Sequence, residues 1–204
     1  MKVTTTGSIR QNYDALASGY ESRWNKFNEV VRGWVLARFP EIREGMVLDL
    51  GCGTGAMLKI IHEKYPELKL AGVDASPQML AQARKIVPEA VLTEGDIEEG
   101  VTGRFDVILS LNVLHHLRDP AAHLLRLKEL SKSGGRIYLC DFSIDTIRIG
   151  ISELWWRFFH QAHRRAFHPQ KLRAMISAAG LAIKDSEILK PDSFWRLQIY
   201  ELTS

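Results

Sequence analysis

The chain has 204 residues, 46% hydrophobic and 25% charged, with a formal net charge of +3. That length suits one domain, which buries roughly 70% of its unfolded surface. The small, dispersed positive charge does not call for a nucleic-acid partner, no apolar run approaches the ~20 residues of a membrane span, and the N-terminus "MKVTTTGSIRQN" lacks an apolar signal core. Cys52 and Cys140, the two cysteines, form no C-x-x-C pair and read as buried thiols in a reducing compartment. The expectation is a cytoplasmic protein of one domain, with residues 1–40 as a helical cap and 144–168 as a helical insertion.

Residues 1–40 read as helical, with Tyr13, Tyr20, Trp24, Phe27, Val31, Trp34 and Val35 spaced for one face and Pro40 as the stop. Strands and helices then alternate. "MVLDLG" is strand-like, and the helix after the glycines runs to Pro66. "KLAGVDA" is a second strand. "SPQMLAQARKIVP" is a helix with Ser76 as N-cap and Pro77 at its first position. "AVLTEGD" and "RFDVILSL" are further strands. "DPAAHLLRLKELSKSGG" is a helix capped by Asp119 and ended by Gly134, followed by the strand "RIYLCDF". "HPQKLRAMISAAG" carries Pro169 at its start and Gly180 at its end, and "LAIKDSEIL" and "RLQIYEL" close the chain as strands. The fold class is α/β: a mostly parallel sheet with helices on both faces, whose ligand lies beyond the carboxyl ends of the strands.

"VLDLGCGTGAMLKII" therefore holds the first candidate site. Gly51, Gly53 and Ala56 fit the dinucleotide pattern G-x-G-x-x-G/A; Gly51, Gly53 and Gly55 fit G-x-G-x-G, which suits S-adenosylmethionine. Asp49 discriminates. A carboxylate two residues before the first glycine repels a pyrophosphate but attracts an ammonium and a sulfonium; the alternative is a structural carboxylate bonded to loop amides. Asp74 ends the second strand, where it can accept two ribose hydroxyls or serve as a capping acid before "SPQM". Asp96 can accept from an adenine amine, with Ile97 and Met79 as apolar walls, or act as a turn residue after Gly95. A reductase would need acid/base machinery, and the Tyr-x-x-x-Lys at Tyr65 and Lys69 spans Pro66 and precedes the second strand.

"VLDLGCGTG", "GVDASPQML", "EGDI" and "FDVILSLNVLHHLRDP" resemble the successive motifs of class I S-adenosylmethionine-dependent methyltransferases. "NYDALASGYESRW" and "HPQKLRAMISAAGL" partly resemble the ubiquinone/menaquinone C-methyltransferase group. The resemblance implies a three-layer, Rossmann-like, seven-stranded sheet with an antiparallel last strand. It implies S-adenosyl-L-methionine as cofactor, contacted by Asp49, Gly51, Gly53, Asp74, Asp96, Leu111 and Asn112. Thr54, Gly55, Ala75, Met79 and Ile97 complete the expected cofactor set. Tyr20, with Tyr13, lies in the region that folds over the cofactor's amino-acid end in similar enzymes, and core packing is the other reading of both tyrosines.

Methyl transfer is an in-line displacement. It needs alignment and a dry pocket, and a base only if the nucleophile sheds a proton. His115 and His116, after the fourth strand, and Asp141, after the fifth, are the base candidates; packing and capping are their alternative roles. No metal site is expected. No Pro-Pro-aromatic signature follows the fourth strand, and Cys140 lies inside a strand, where a nucleophile is out of place. The insertion "ISELWWRFFHQAHRRAFHP" offers Trp155, Phe159, His160 and His163 as a lid over a small acceptor, aromatic or lipophilic in character; a core helix or a homodimer face is the competing reading, and a membrane-surface role a third. The functional expectation is methyl transfer to a small molecule. An NAD(P)-dependent oxidoreductase and a non-catalytic S-adenosylmethionine-binding regulator are the alternatives.

Overall fold

The computed structural model describes residues 6–98, 100–144 and 166–204. Its strands are β1 (Met46–Leu50), β2 (Lys69–Asp74), β3 (Val91–Glu94), β4 (Phe105–Leu111), β5 (Ser131–Phe142), β6 (Ala182–Leu189) and β7 (Leu197–Thr203). They form one sheet in the order β3-β2-β1-β4-β5-β7-β6. β1 to β5 pair in parallel, and β7 runs antiparallel to both β5 and β6. This is the Rossmann-like arrangement expected, with the last strand reversed.

Because side chains alternate across a strand, the apolar runs bury two faces at once. Val47, Val107, Leu109 and Tyr138 face one core, with Val31, Trp34 and Val35 of α2 (Tyr20–Arg38) and Leu58 and Ile61 of α3 (Ala56–Lys64). Leu48, Ile108, Ile137 and Leu139 face the other, with Leu124 and Leu127 of α5 (Pro120–Leu130) and Leu172 and Ile176 of α6 (Pro169–Ala178). The helices thus make the outer two of three layers.

Helix boundaries follow local chemistry. In α4 (Pro77–Ile86) the Ser76 hydroxyl accepts from Met79 N, with Pro77 at the first position. Asp119 caps α5 by accepting from Ala121 N and Ala122 N. Gly180 follows α6 at φ 70°, as its position after the helix requires. The N-terminal segment is two helices: α1 (Thr6–Leu16) meets α2 through a 3₁₀ turn, Ala17–Gly19. α2 ends where Phe39 turns extended ahead of Pro40.

One boundary differs from the sequence reading. α5 stops at Leu130, and Gly134 does not end it. Ser131 already has extended dihedrals, and its N–H closes the helix on Leu127 O and Lys128 O. The glycines sit in the irregular start of β5, where the register steps from Phe105↔Ser131 to Val107↔Arg136 and Gly134 takes φ 75°. Among the described residues no helix is long and apolar enough to cross a membrane.

Candidate functional site

The carboxyl ends of β1, β2 and β4 open onto a common cleft. The loop after β1 turns through three left-handed glycines, Gly51, Gly53 and Gly55, at φ 79°, 53° and 78°. Gly51 N and Cys52 N donate to Val73 O, which ties the loop to β2. Gly55 has a packing role: a Cβ there would stand 2.8 Å from the Ala83 Cβ of α4. It lines neither cavity described below.

Asp74 braces this turn. One of its carboxylate oxygens accepts from Gly53 N at 2.8 Å and the other from Ser76 N at 2.8 Å. The cap of α4 is Ser76 itself, so Asp74 is not a helix cap. Burial raises the Asp74 carboxyl above its ordinary range, and its backbone hydrogen bonds oppose that rise.

A small cavity lies at one end of the cleft, lined by Tyr20, Asn28, Arg32, Asp49, Gly51, Thr54 and Asn112, among others. Asp49 is 3% exposed and makes no hydrogen bond or ion pair to any described residue. Desolvation, with repulsion from Asp74, pushes its carboxyl up to about 7, and Arg32 acts against that shift. The loop-amide alternative for Asp49 therefore lacks the bonds it needs. Opposite, Glu21 accepts from Thr54 Oγ1 at 2.6 Å and pairs with Arg32 at 2.7 Å. Sequence reasoning missed Glu21, Asn28 and Arg32. The available signal was the spacing of Glu21 and Arg32, eleven residues apart on α2, which at 3.6 residues per turn puts them on one face.

A second cavity shares Tyr20, Gly51, Gly53, Leu111 and Asn112 with the first. Its other walls include Tyr13, Asp74, Ala75, Met79, Asp96, Ile97 and His116. Asp96 accepts from Glu98 N at 3.0 Å and lies 3.4 Å from an Arg118 nitrogen. Asn112 takes φ 58°, an uncommon conformation away from glycine, and its N–H donates to Cys140 O. Ten expected cofactor residues line this cavity, and Asp49 and Thr54 line its neighbour. α1 closes over the mouth: Tyr13 Oη lies 2.7 Å from His116 Nε2, Asp14 accepts from the Ser76 hydroxyl, and Arg10 pairs with Glu94.

Beside the second cavity stand the two histidines, their rings 3.8 Å apart. Asp141 is fully buried and does not open on the mouth as expected of a base. Its Oδ2 accepts from His115 N at 3.0 Å; its Oδ1 lies 2.9 Å from His115 Nδ1 and accepts from Phe142 N. A carboxylate in that place holds the proton on Nδ1, which makes Nε2 the lone-pair nitrogen of His115. Cys140 is buried within β5, with its thiol pushed up by burial, as a strand thiol should be. Among the described residues no cluster of His, Cys, Asp and Glu could hold a metal ion. Trp155, Phe159, His160 and His163, and with them the lid reading, lie outside the described residues.

Residues 24–185 match a family model described as a methyltransferase domain. A trans-aconitate 2-methyltransferase of Deinococcus radiodurans is 37% identical over 100 residues, 48% of this chain and 38% of that protein. One from Escherichia coli O7:K1 is 40% identical over 125 residues, 60% of this chain and 50% of that protein. The chain thus spans half or less of these curated relatives, and neither bears a quinone methyltransferase's name, so the narrower resemblance gains no support from them. Among solved structures, the 4+2 cyclase SpnF superposes with a TM-score of 0.82 at 14% identity, over 100% of this chain and 98% of that one. Such a likeness carries the fold and not the reaction.

Proposed function

This chain belongs to the class I S-adenosylmethionine-dependent methyltransferases, and from that premise we propose that it transfers a methyl group to a small-molecule acceptor by in-line displacement. The observation that carries the reading is Asp49: a buried carboxylate, unpartnered among the described residues, facing a cavity that Asp74 makes more negative still. Such a place disfavours a pyrophosphate and favours a cation. When bound, S-adenosylmethionine supplies a methyl group on a positively charged sulfur, which departs neutral.

Each residue then has a task. Asp49 would take the ammonium of the donor and Arg32 its carboxylate, the guanidinium being held in place by Glu21. Asp74 has lone pairs left for ribose hydroxyls after bracing the loop. Asp96 would accept from the adenine amine, with Met79 and Ile97 against the ring. Tyr20 and Tyr13 would exclude water from above. Asp141 would act as a positioning residue, orienting His115 as the base for an acceptor that loses a proton. The relatives' name supports a small acceptor, and trans-aconitate is one candidate.

Thermal unfolding tests the donor. S-adenosylhomocysteine at 100 times its Kd should stabilise the chain by about 2.7 kcal/mol, while NADH leaves it unmoved. A shift with NADH alone would overturn the proposal. A shift with S-adenosylhomocysteine, but no transfer of labelled methyl to any member of a broad metabolite panel, would favour a regulatory module.

A further inference from the structure

Two loops meet at the rim of the second cavity, and one carboxylate ties them together. The loop after β3 carries Asp96 and Glu98, which both line that cavity. The loop before α5 carries Arg118 and Asp119. The Glu98 Oε1 accepts from Asp119 N at 3.0 Å, and its Oε2 accepts from Arg118 N and Arg118 Nε, each at 3.3 Å. That anchor is firm, because Asp119 caps α5, and Leu124 and Leu127 of that helix are fully buried. Glu98 also bears on Asp96 in two ways. Its own N–H donates to Asp96 Oδ1 at 3.0 Å, and the guanidinium that it holds reaches Asp96 Oδ2 at 3.4 Å. The Glu98 side chain is 15% exposed, against 22% for Asp96 and 52% for Arg118, so it is the inner member around which the set is built.

Resting on the donor reading above, in which Asp96 accepts from the adenine amine, we infer that Glu98 is the positioning residue that makes the donor site select a 6-aminopurine over a 6-oxopurine. The chemistry is one-sided. A carboxylate accepts hydrogen bonds and does not donate them, so it suits an exocyclic amine and opposes a carbonyl oxygen in the same place. It opposes that oxygen only while it stays put; a short acid on an unbraced loop turns to water and penalises neither base. Here the Glu98 N–H sets one oxygen of Asp96, and the Arg118 guanidinium stands at the other. Glu98 holds both of these groups in place, and two of the three bonds that its carboxylate accepts come from backbone amides of the loop before α5. Removing that carboxylate frees the loop after β3 from α5. Selectivity for the amine then falls although Asp96 is still present, which separates a positioning role from direct contact with the base.

The test uses the full chain and two probes, S-adenosylhomocysteine and S-inosylhomocysteine, which carry an amino and an oxo group at the same purine carbon. Calorimetry should show the unaltered chain preferring the amino compound about 100-fold. Glu98→Ala should weaken S-adenosylhomocysteine about tenfold and leave S-inosylhomocysteine within about twofold, so that the preference drops to about tenfold. Glu98→Gln keeps an oxygen for Asp119 N, and its preference should fall between those two; it carries the test if Glu98→Ala does not fold. Equal weakening of both probes at constant preference would make the tie merely structural and overturn the inference. Affinities unmoved in both variants, or an unaltered chain that binds the two probes alike, would overturn it too. Failure of the unaltered chain to bind either probe would instead strike at the methyltransferase reading.

Discussion

At the tips of β1 and β2, the polar groups of the cleft come from residues 49–76 and are fixed largely by their own backbone. Gly53 N and Ser76 N hold Asp74, and Val73 O holds the turn. At the tips of β4 and β5, His115 meets Asp141 and Phe142, and Phe142 in turn meets Phe27 and Trp195. The first region is a local motif, and the second is an assembly. Each also buries a titratable group, with opposite consequences. Asp49 is an acid whose charge is disfavoured. His123 of α5 is a base whose charge is disfavoured: its Nε2 lies 3.0 Å from Ser110 Oγ, its Nδ1 has no partner among the described residues, and burial lowers it to about 4. What is buried for a ligand and what is buried for the fold should therefore answer pH in opposite senses.

Asp49→Asn gives the largest expected effect and tests the donor side. The folded carboxyl sits near 7 and the unfolded one near 3.9. Its contribution to stability is present at low pH and is lost as pH rises through about 7. At pH 8 the amide should therefore stabilise the ligand-free protein by up to about 4 kcal/mol in chemical denaturation. The same change should weaken S-adenosylmethionine about 100-fold and abolish a fall in affinity that the unaltered protein shows below pH 7. Equal affinity in the two proteins would remove Asp49 from the site.

Gly55→Ala, next in size, tests whether the motif is held by packing. The new Cβ meets Ala83 at 2.8 Å in a left-handed conformation, and a loss of about 3 kcal/mol should appear in urea denaturation. A loss under 1 kcal/mol would mean that α3 and α4 can part freely.

His123 gives the smallest effect. Its folded value is depressed, so the unfolded chain binds the proton better below about 6.5, and stability falls with pH from there toward 4. Between pH 7.5 and 5 the loss from this group should be about 2 kcal/mol. His123→Leu should flatten that slope relative to the unaltered chain; an unchanged slope would show that other groups carry it.

The local region was also the legible one. Gly51, Gly53 and the strand-end acids Asp49, Asp74 and Asp96 sit at fixed offsets from apolar runs and line the two adjoining cavities, while Gly55 packs against α4. The group of Phe27, Phe142 and Trp195 has no such signature. Phe27 read as one more position on an apolar helix face, and no motif or periodicity singled out Trp195. Asp141 illustrates the limit differently. Its place after a strand suggested a group facing the mouth, yet the turn at Leu114–His116 folds back over it and takes both of its oxygens.

The sequence by itself determined the sheet, its layers and the donor loop, because periodicity, caps and glycines act over a few residues and need no distant partner. The tertiary structure alone decided which groups are paired. Arg32 reaches Glu21 along α2, and Glu21 reaches Thr54 across the cleft; His115 finds its carboxylate, and among the described residues Asp49 forms no ion pair, Arg32 only opposing its shift. Those outcomes depend on burial and on contacts between segments far apart in the chain, and they determine which charge stays poised for a ligand.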